Sequence, residues 1–209
     1  MLGVNLNYQR YLDRLKEELA VMDHEAVEHM ADLVGDALTE GRCIYIFGNG
    51  GSATTASHLA EDLAKNCLLE SQLNDESKRR LKVISLTDNV GWITAIANDL
   101  SYEQIFVQQL MSLAQPGDLA IAISGSGNSE NVLLAVDWAN RHGLTTFGLT
   151  GFDGGELKQI QHYGLHVALD DMAMVESIHM CAFHWVVDDL YARANGLGRH
   201  GQIGLHRAA

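Results

Sequence analysis

The stretch Gly48-Asn49-Gly50-Gly51-Ser52, which follows the apolar run Cys43–Phe47, decides the fold of this chain. A glycine-rich turn between a β-like run and a helical pattern lets backbone N–H groups approach a ligand, and the helix start adds a partial positive charge. An ordinary strand-to-helix turn with a capped helix has the same local pattern. The stretch alone therefore leaves open a tight turn or an anion site.

A second loop of the same kind, Ser124-Gly125-Ser126-Gly127-Asn128-Ser129, follows the apolar run Leu119–Ile123. Ligands of open α/β sheets bind where the carboxyl ends of the strands meet. Two hydroxyl-rich loops at strand ends predict one shared anion site, because serine hydroxyls and backbone N–H groups bind phosphate without lysine or arginine. The candidate ligand-binding residues of the loops are Asn49, Gly50, Gly51, Ser52, Ser124, Gly125, Ser126 and Ser129.

The 209 residues carry a formal net charge of −13, and the sequence has no apolar run long enough to span a membrane. The acidic balance argues against direct nucleic-acid binding, which needs a basic face. The segment Met1–Arg10 carries polar residues where a secretory signal would place an apolar segment, so we expect a cytoplasmic protein. Three widely spaced cysteines indicate neither a disulfide framework nor a paired-cysteine metal site.

Strand-like and helical patterns alternate after residue 41, which predicts one α/β domain over residues 42–195. The predicted strands are Cys43–Phe47, Lys82–Leu86, Leu119–Ile123, Thr146–Leu149 and His166–Leu169. The predicted helices are Ala53–Lys65, Trp92–Asn98, Tyr102–Leu113, Glu130–Arg141, Leu157–His162 and Met174–Ala194. The predicted fold is a doubly wound, five-stranded parallel sheet in a flavodoxin-like three-layer sandwich, preceded by a long N-terminal helix.

Residues 5–40 carry apolar side chains at helical spacing and predict one long helix or a broken pair, with Gly35 as a weak point and Gly41 as the stop. A helix ahead of the first strand has little of its own domain to pack on. We therefore expect residues 1–41 to form an oligomerisation helix, with packing over the sheet as the alternative. Residues 196–209 are expected to form a loose tail.

His58 and Asp62 are four residues apart in the helix after the first loop, so their side chains share one face. Such a pair fits a metal site, an acid–base pair or a plain helix salt link. On the last predicted helix, Glu176 and His184 lie about 80° apart around the axis at ideal geometry. This spacing permits the four side chains to meet and does not require it.

The two loops, together with His58–Asp62, Asn98-Asp99 and residues 149–155, resemble the sugar isomerase (SIS) family, and within it the phosphoheptose isomerase type. The resemblance spans nearly the whole chain and implies a single SIS domain that binds a phosphorylated sugar. It implies an aldose–ketose isomerase, most naturally acting on sedoheptulose 7-phosphate to give a D-glycero-manno-heptose 7-phosphate. It also implies a homotetramer with its site near a subunit boundary.

The resemblance assigns roles to individual residues. It implies that Asp62 and His184 are the catalytic base and acid and that Asn98 and Asp99 bind sugar hydroxyls. Glu176 takes a substrate-binding position. In some members of the family, four side chains bind zinc, and the matching positions here are His58, Asp62, Glu176 and His184. Two nitrogen and two oxygen donors suit a divalent transition metal.

This chain departs from the family pattern at four positions. The family has Glu at Asp62, Gln at Glu176, Thr at Gly125 and Arg at Asn66. Aspartate is shorter than glutamate by about 1.5 Å, and a misplacement of about 1 Å costs about 10²-fold in rate, so Asp62 is a repositioned base, a metal ligand or a sign of lost chemistry. The alternative function is a non-catalytic phosphosugar-binding SIS protein that acts as a sensor or as a scaffold associated with a replication initiator.

Overall fold

The structure, a computed structural model, describes residues 2–201, and its centre is a five-stranded sheet. The strands are β1 Cys43–Gly48, β2 Lys82–Ser85, β3 Leu119–Ile123, β4 Thr145–Thr150 and β5 Tyr163–His166. All neighbouring strands are parallel, in the order β2-β1-β3-β4-β5. The direction of winding reverses between β1 and β3, which is where ligands of such sheets bind. The predicted doubly wound parallel sheet is confirmed.

Helices cover both faces of the sheet. In the described residues they are α1 Tyr8–Val21, α2 His24–Glu40, α3 Gly51–Lys65, α4 Val90–Asp99, α5 Val107–Leu113, α6 Glu130–Arg141, α7 Leu157–Ile160 and α8 Met172–Asn195. Alternate side chains of β1 enter different cores, Ile44 and Ile46 against α2, α3 and α8, and Tyr45 and Phe47 against α4, α5 and α6. None of these helices has the length and apolar character needed to cross a membrane.

The last strand differs from its predicted position. β5 pairs with β4 from Tyr163 to His166, whereas the sequence predicted His166–Leu169. The apolar residues Val167 and Leu169 do not extend the sheet, because they pack in a separate cluster under the first turns of α8. The predicted helix Tyr102–Leu113 is also divided, into a 3-10 turn and α5.

The N-terminal segment is a broken pair of helices and not one long helix. Asp23 caps the start of α2, and Gly41 ends it in the left-handed conformation at φ 75°, as predicted. Gly35, predicted as the weak point, lies inside α2. There it makes room for α8, since an added β-carbon would lie 2.7 Å from Cδ of Arg193.

The two N-terminal helices pack differently. α2 buries Val27, Met30 and Val34 against α8 and the sheet, so the expectation that this stripe lacks a partner in its own domain is wrong for α2. α1 has no buried residue, and Tyr8 and Val21 are each 77% exposed. A subunit contact through the N-terminal segment therefore remains a prediction for α1.

The described part of the predicted tail, residues 196–201, is held against α8. Arg199 and His200 lie 2.7 and 2.6 Å from a carboxylate oxygen of the buried Asp189, and Arg193 binds the other oxygen at 3.0 Å. Burial alone would raise the pKa of Asp189, but these hydrogen bonds outweigh it and lower the pKa to about 2. Residues 196–201 are thus not loose, and residues 202–209 lie outside the described part.

Candidate active site

The two glycine loops meet at the carboxyl end of the sheet. Gly48 of β1 pairs in register with Ile123 of β3, so the loops that follow begin side by side. The side chain of Asn49 exchanges two amide hydrogen bonds with Asn131 of α6, at 2.8 and 2.9 Å. This pair joins the two loops across 82 residues of sequence.

Tyr102 completes this arrangement by donating its hydroxyl to Oδ1 of Asn49 at 3.0 Å. Both side-chain hydrogen-bonding partners of Asn49, which are Asn131 and Tyr102, were therefore missed by sequence reasoning. Asn131 carried a usable signal, since it is a polar residue just after the second loop, and the structure leaves it only 3% exposed. Tyr102 carried none, because nothing local shows that it reaches a residue 53 positions earlier.

The serines that we expected to bind phosphate are divided between interior and surface. Ser52 and Ser124 are buried, and the hydroxyl of Ser124 donates to that of Ser129 at 3.4 Å. Ser126 is exposed at the tip of the second loop. Gly127 adopts φ 69° and donates its N–H to the carbonyl oxygen of Ser124 at 2.9 Å, which closes the loop. Anion binding at these loops remains a prediction.

Three candidate acid–base residues form a cluster between α3 and α8. One nitrogen of His58, one carboxylate oxygen of Asp62 and one nitrogen of His184 all lie within 4.8 Å of one another. The imidazole rings of the two histidines meet edge to face, with centroids 5.4 Å apart. Packing of α3 on α8 therefore brings together residues more than 120 positions apart.

The carboxylate of Asp62 divides its two oxygens between two environments. Oδ2 lies 3.2 Å from Nε2 of His58 and faces the cluster. Oδ1 lies 3.3 Å from Nζ of Lys65 and accepts a hydrogen bond from the side-chain amide of Asn66 at 3.2 Å. Glu61 pairs with Lys65 at 2.8 Å and with none of the clustered residues, so it is not a substitute base in this geometry.

Glu176 of α8 lies outside the three-residue cluster and next to the start of α3. A β-carbon added to Gly51 would lie 2.6 Å from Oε1 of Glu176, so the carboxylate occupies the space beside the first loop. Gly51, His58 and Glu176 line one open cleft of about 620 Å³. The cleft thus joins the predicted phosphate end of the site to the acid–base end.

The remaining candidates of α4 and α8 have different surroundings. Asn98 and Asp99 are exposed at the end of α4 and hydrogen-bond each other at 2.7 Å, so their part in the site remains a prediction. His179 of α8 faces the interior, where burial lowers its pKa to about 4 although a hydrogen bond to the backbone of Thr150 favours the charged form. His179 is therefore neutral at pH 7, whereas His184 is exposed beside Asp62.

Comparison with known proteins identifies the family. Residues 7–151 match the family model of the SIS domain. A phosphoheptose isomerase of Geotalea uraniireducens is 37% identical over 91% of this chain and 95% of its own length. A probable phosphoheptose isomerase of Thermoplasma acidophilum is 34% identical over 87% of this chain and 96% of its own. This chain belongs to the SIS domain family.

A solved structure of a phosphoheptose isomerase is also similar to this SIS domain. The structure of a phosphoheptose isomerase from Francisella tularensis matches with a TM-score of 0.79 at 29% identity. The match covers 88% of this chain and 94% of that protein.

The clustered side chains of this SIS domain fit a divalent metal. Two imidazole nitrogens and a carboxylate oxygen are the donors that catalytic zinc sites use while leaving a position for water or substrate. His58, Asp62 and His184 supply this set within 4.8 Å. Glu176 lies nearby on the same cleft and outside that distance, so a four-ligand site remains a prediction.

Proposed function

We propose that this SIS domain is a phosphoheptose isomerase that converts sedoheptulose 7-phosphate into a D-glycero-manno-heptose 7-phosphate. The observation that carries the proposal is the cluster of His58, Asp62 and His184, of which His58 also lines the cleft that begins at the first glycine loop. Its support is the name shared by relatives at 34% and 37% identity over most of the chain.

The phosphate group binds, in this proposal, at the two serine-rich loops. The starts of α3 and α6 direct backbone N–H groups and a partial positive charge toward the shared edge. Local donors of this kind are required because the net charge of −13 repels an anion at longer range. Ser52, Ser124, Ser126 and Ser129 add hydroxyl groups to the backbone donors, and Asn49 adds an amide.

The reaction moves a proton between neighbouring carbons at the other end of the cleft. Asp62 takes the proton from the carbon next to the carbonyl group through Oδ2, because Oδ1 is engaged by Lys65 and Asn66. His184 donates a proton to the carbonyl oxygen as the ene-diol forms. The proton held by Asp62 then returns to the neighbouring carbon, while the hydroxyl group on the first carbon gives its proton to His184 and becomes the new carbonyl, which completes the aldose–ketose shift.

The proposal extends to a metal cofactor, to the oligomeric state and to the location of the protein in the cell. If His58, Asp62, Glu176 and His184 instead held a divalent cation, it would act as a Lewis acid on the substrate's carbonyl and hydroxyl oxygens, and another group or a bound water would then move the proton. Zinc is our first choice, because the donor set mixes imidazole and carboxylate. We also include a homotetramer built on α1 and α8, and a cytoplasmic location.

Proton NMR of sedoheptulose 7-phosphate with the zinc-loaded protein in D₂O tests the function. We expect an aldose product and solvent exchange at the α carbon, both abolished by Asp62→Asn and His184→Ala. Glu61→Gln is the matched control, since Glu61 is the exposed neighbour paired with Lys65, and it should leave turnover unchanged. Binding of the sugar phosphate without exchange would favour the non-catalytic sensor or scaffold, and absence of binding would contradict both functions.

A further inference from the structure

The first turns of α8 rest on glycines of the loops at the sheet edge. A β-carbon added to Gly125, in the loop after β3, would lie 2.3 Å from Sδ of Met172. At Gly151, in the loop after β4, it would lie 2.8 Å from both γ-methyl groups of Val175. Glu176 in the same way occupies the space that a side chain at Gly51 of the first loop would need. Three side chains of one helix therefore take the space that glycine leaves free in three loops.

Met172 makes the most restrictive of these contacts. Its Sδ and Cε lie 2.3 and 2.7 Å from the position of a β-carbon on Gly125, so any side chain at residue 125 would require the thioether to move. Gly151 also donates its N–H to the carbonyl oxygen of Gly125 at 2.8 Å, so the two loops are joined. The thioether thus occupies the space that a side chain at residue 125 would need, and the start of α8 packs directly on the backbone of the second loop.

Met172 also connects the phosphate end of the site to the acid–base end. It is the first residue of α8, one turn before Glu176, and the same unbroken helix carries His184. Its side chain is 36% exposed and lines an open cleft of about 650 Å³ together with Ser126 of the second loop. The thioether thus touches the loop backbone on one side and open space beside the predicted phosphate position on the other.

We propose that Met172 is a positioning residue that sets the distance between the phosphate-binding loop and the acid–base side chains of α8. The expected effect of Met172 on catalysis rests on the proposed function. Its expected effect on phosphate binding rests only on its contact with Gly125 in the second loop. The carbon chain of a sugar phosphate has a fixed length, so both ends of the ligand bind correctly only if this spacing is right. A misplacement of about 1 Å at the reacting end costs about 10²-fold in rate.

A double-mutant cycle with inorganic phosphate as the probe tests the loop contact. Gly125→Ala places a methyl group against the thioether, and we expect calorimetry to show the Kd for phosphate rising at least about tenfold. Adding Met172→Ala removes the collision and should bring the Kd back within about threefold of that of Met172→Ala alone. If the double variant binds phosphate as weakly as Gly125→Ala, the proposal is wrong.

A matched control separates this effect from general destabilisation. Gly35→Ala places a β-carbon 2.7 Å from Cδ of Arg193, on α2 and far along α8 from the loops. We expect it to lower Tm and to leave the phosphate Kd unchanged. An equal loss of phosphate affinity in this control would show that any overpacked glycine has the same effect, and would overturn the proposal.

Turnover supplies a second readout. Met172→Ala should lower kcat for sedoheptulose 7-phosphate about tenfold while KM changes less than about threefold, because alignment at the reacting end suffers more than binding. Met172→Leu, of similar volume, should restore kcat. An unchanged kcat in Met172→Ala contradicts the positioning role. If the parent protein lacks turnover but the phosphate cycle behaves as expected, the proposed function fails and the loop contact stands.

Discussion

Asn49 and Asn131 exchange two amide hydrogen bonds, at 2.8 and 2.9 Å, across the gap between the loops that follow β1 and β3. Each amide uses one donor and one acceptor in this exchange, and Tyr102 adds a third hydrogen bond to Asn49. One N–H of Asn49 stays available for a ligand in this arrangement. The pair thus positions a loop residue that sequence reasoning assigned to substrate binding.

Asn131→Asp should disrupt this pair, because a carboxylate accepts from Asn49 but has no N–H to return. We expect a loss of about 1–3 kcal/mol in the free energy of unfolding, since Oδ1 of Asn49 then faces an acceptor. The KM for sedoheptulose 7-phosphate should rise as well. Chemical denaturation measures the first effect and steady-state kinetics the second. Asn74→Asp, at an exposed position between α3 and β2, is the comparison variant and should leave the unfolding free energy nearly unchanged.

Ser124→Ala and Ser126→Ala should each weaken phosphosugar binding by about 0.5–3 kcal/mol, because each removes a hydrogen bond to a charged group. Inorganic phosphate or sulfate should compete for the same position. Calorimetry measures both effects. Ser112→Ala on α5, whose hydroxyl binds only its own helix at Gln108, serves as the control. Parental affinity in both loop variants would refute the two-loop site.

Zinc loading followed by elemental analysis should give about one equivalent of metal in the parent protein. His58→Ala and His184→Ala should each bind less than about a tenth of an equivalent, because each removes one of three clustered donors. His24→Ala, an exposed histidine at the start of α2, should bind as the parent does. Absence of metal from the parent would shift the chemistry to Asp62 and His184 alone.

Val21→Asp should weaken self-association, because Val21 is 77% exposed on α1, a helix without a buried residue. A charge there costs little in the folded monomer and more in a subunit contact. Sedimentation equilibrium should show the parent as a tetramer of the 22.9 kDa chain and the variant shifted toward smaller species. Lys16→Asp on the same helix controls for the added charge. A parent that sediments as a monomer at micromolar concentration rules out the oligomer.

Acid should weaken the attachment of residues 196–201. The pKa of Asp189 is lowered to about 2 in the folded chain, so its contribution to stability is complete above its unfolded pKa near 4. That contribution is lost as the pH falls from about 4 to about 2. The Tm difference between the parent and Asp189→Asn should therefore shrink over this interval. A difference that is the same at pH 2 and pH 6 would contradict the ion-pair interpretation.

The sequence by itself determined the fold class, the family and most of the elements. β3 and α6 begin and end as predicted, because a buried strand and an amphipathic helix follow the period of their apolar side chains. The shared face of His58 and Asp62 was also predictable, since a four-residue spacing on a helix is a local property. The two loops were readable for the same reason, because a cluster of glycine and serine between an apolar run and a helical pattern marks a turn.

Only the tertiary structure decided which distant residues meet. The position of β5 depends on backbone pairing with β4, so the apolar residues after His166 misled a local interpretation. His184 reaches Asp62, and Met172 reaches Gly125, because α8 packs on α3 and on the loops at the sheet edge. Side-chain periodicity records which face of a helix is buried. It contains nothing about which partner covers that face, because contact between segments far apart in sequence is set by how the whole sheet and its helices pack together.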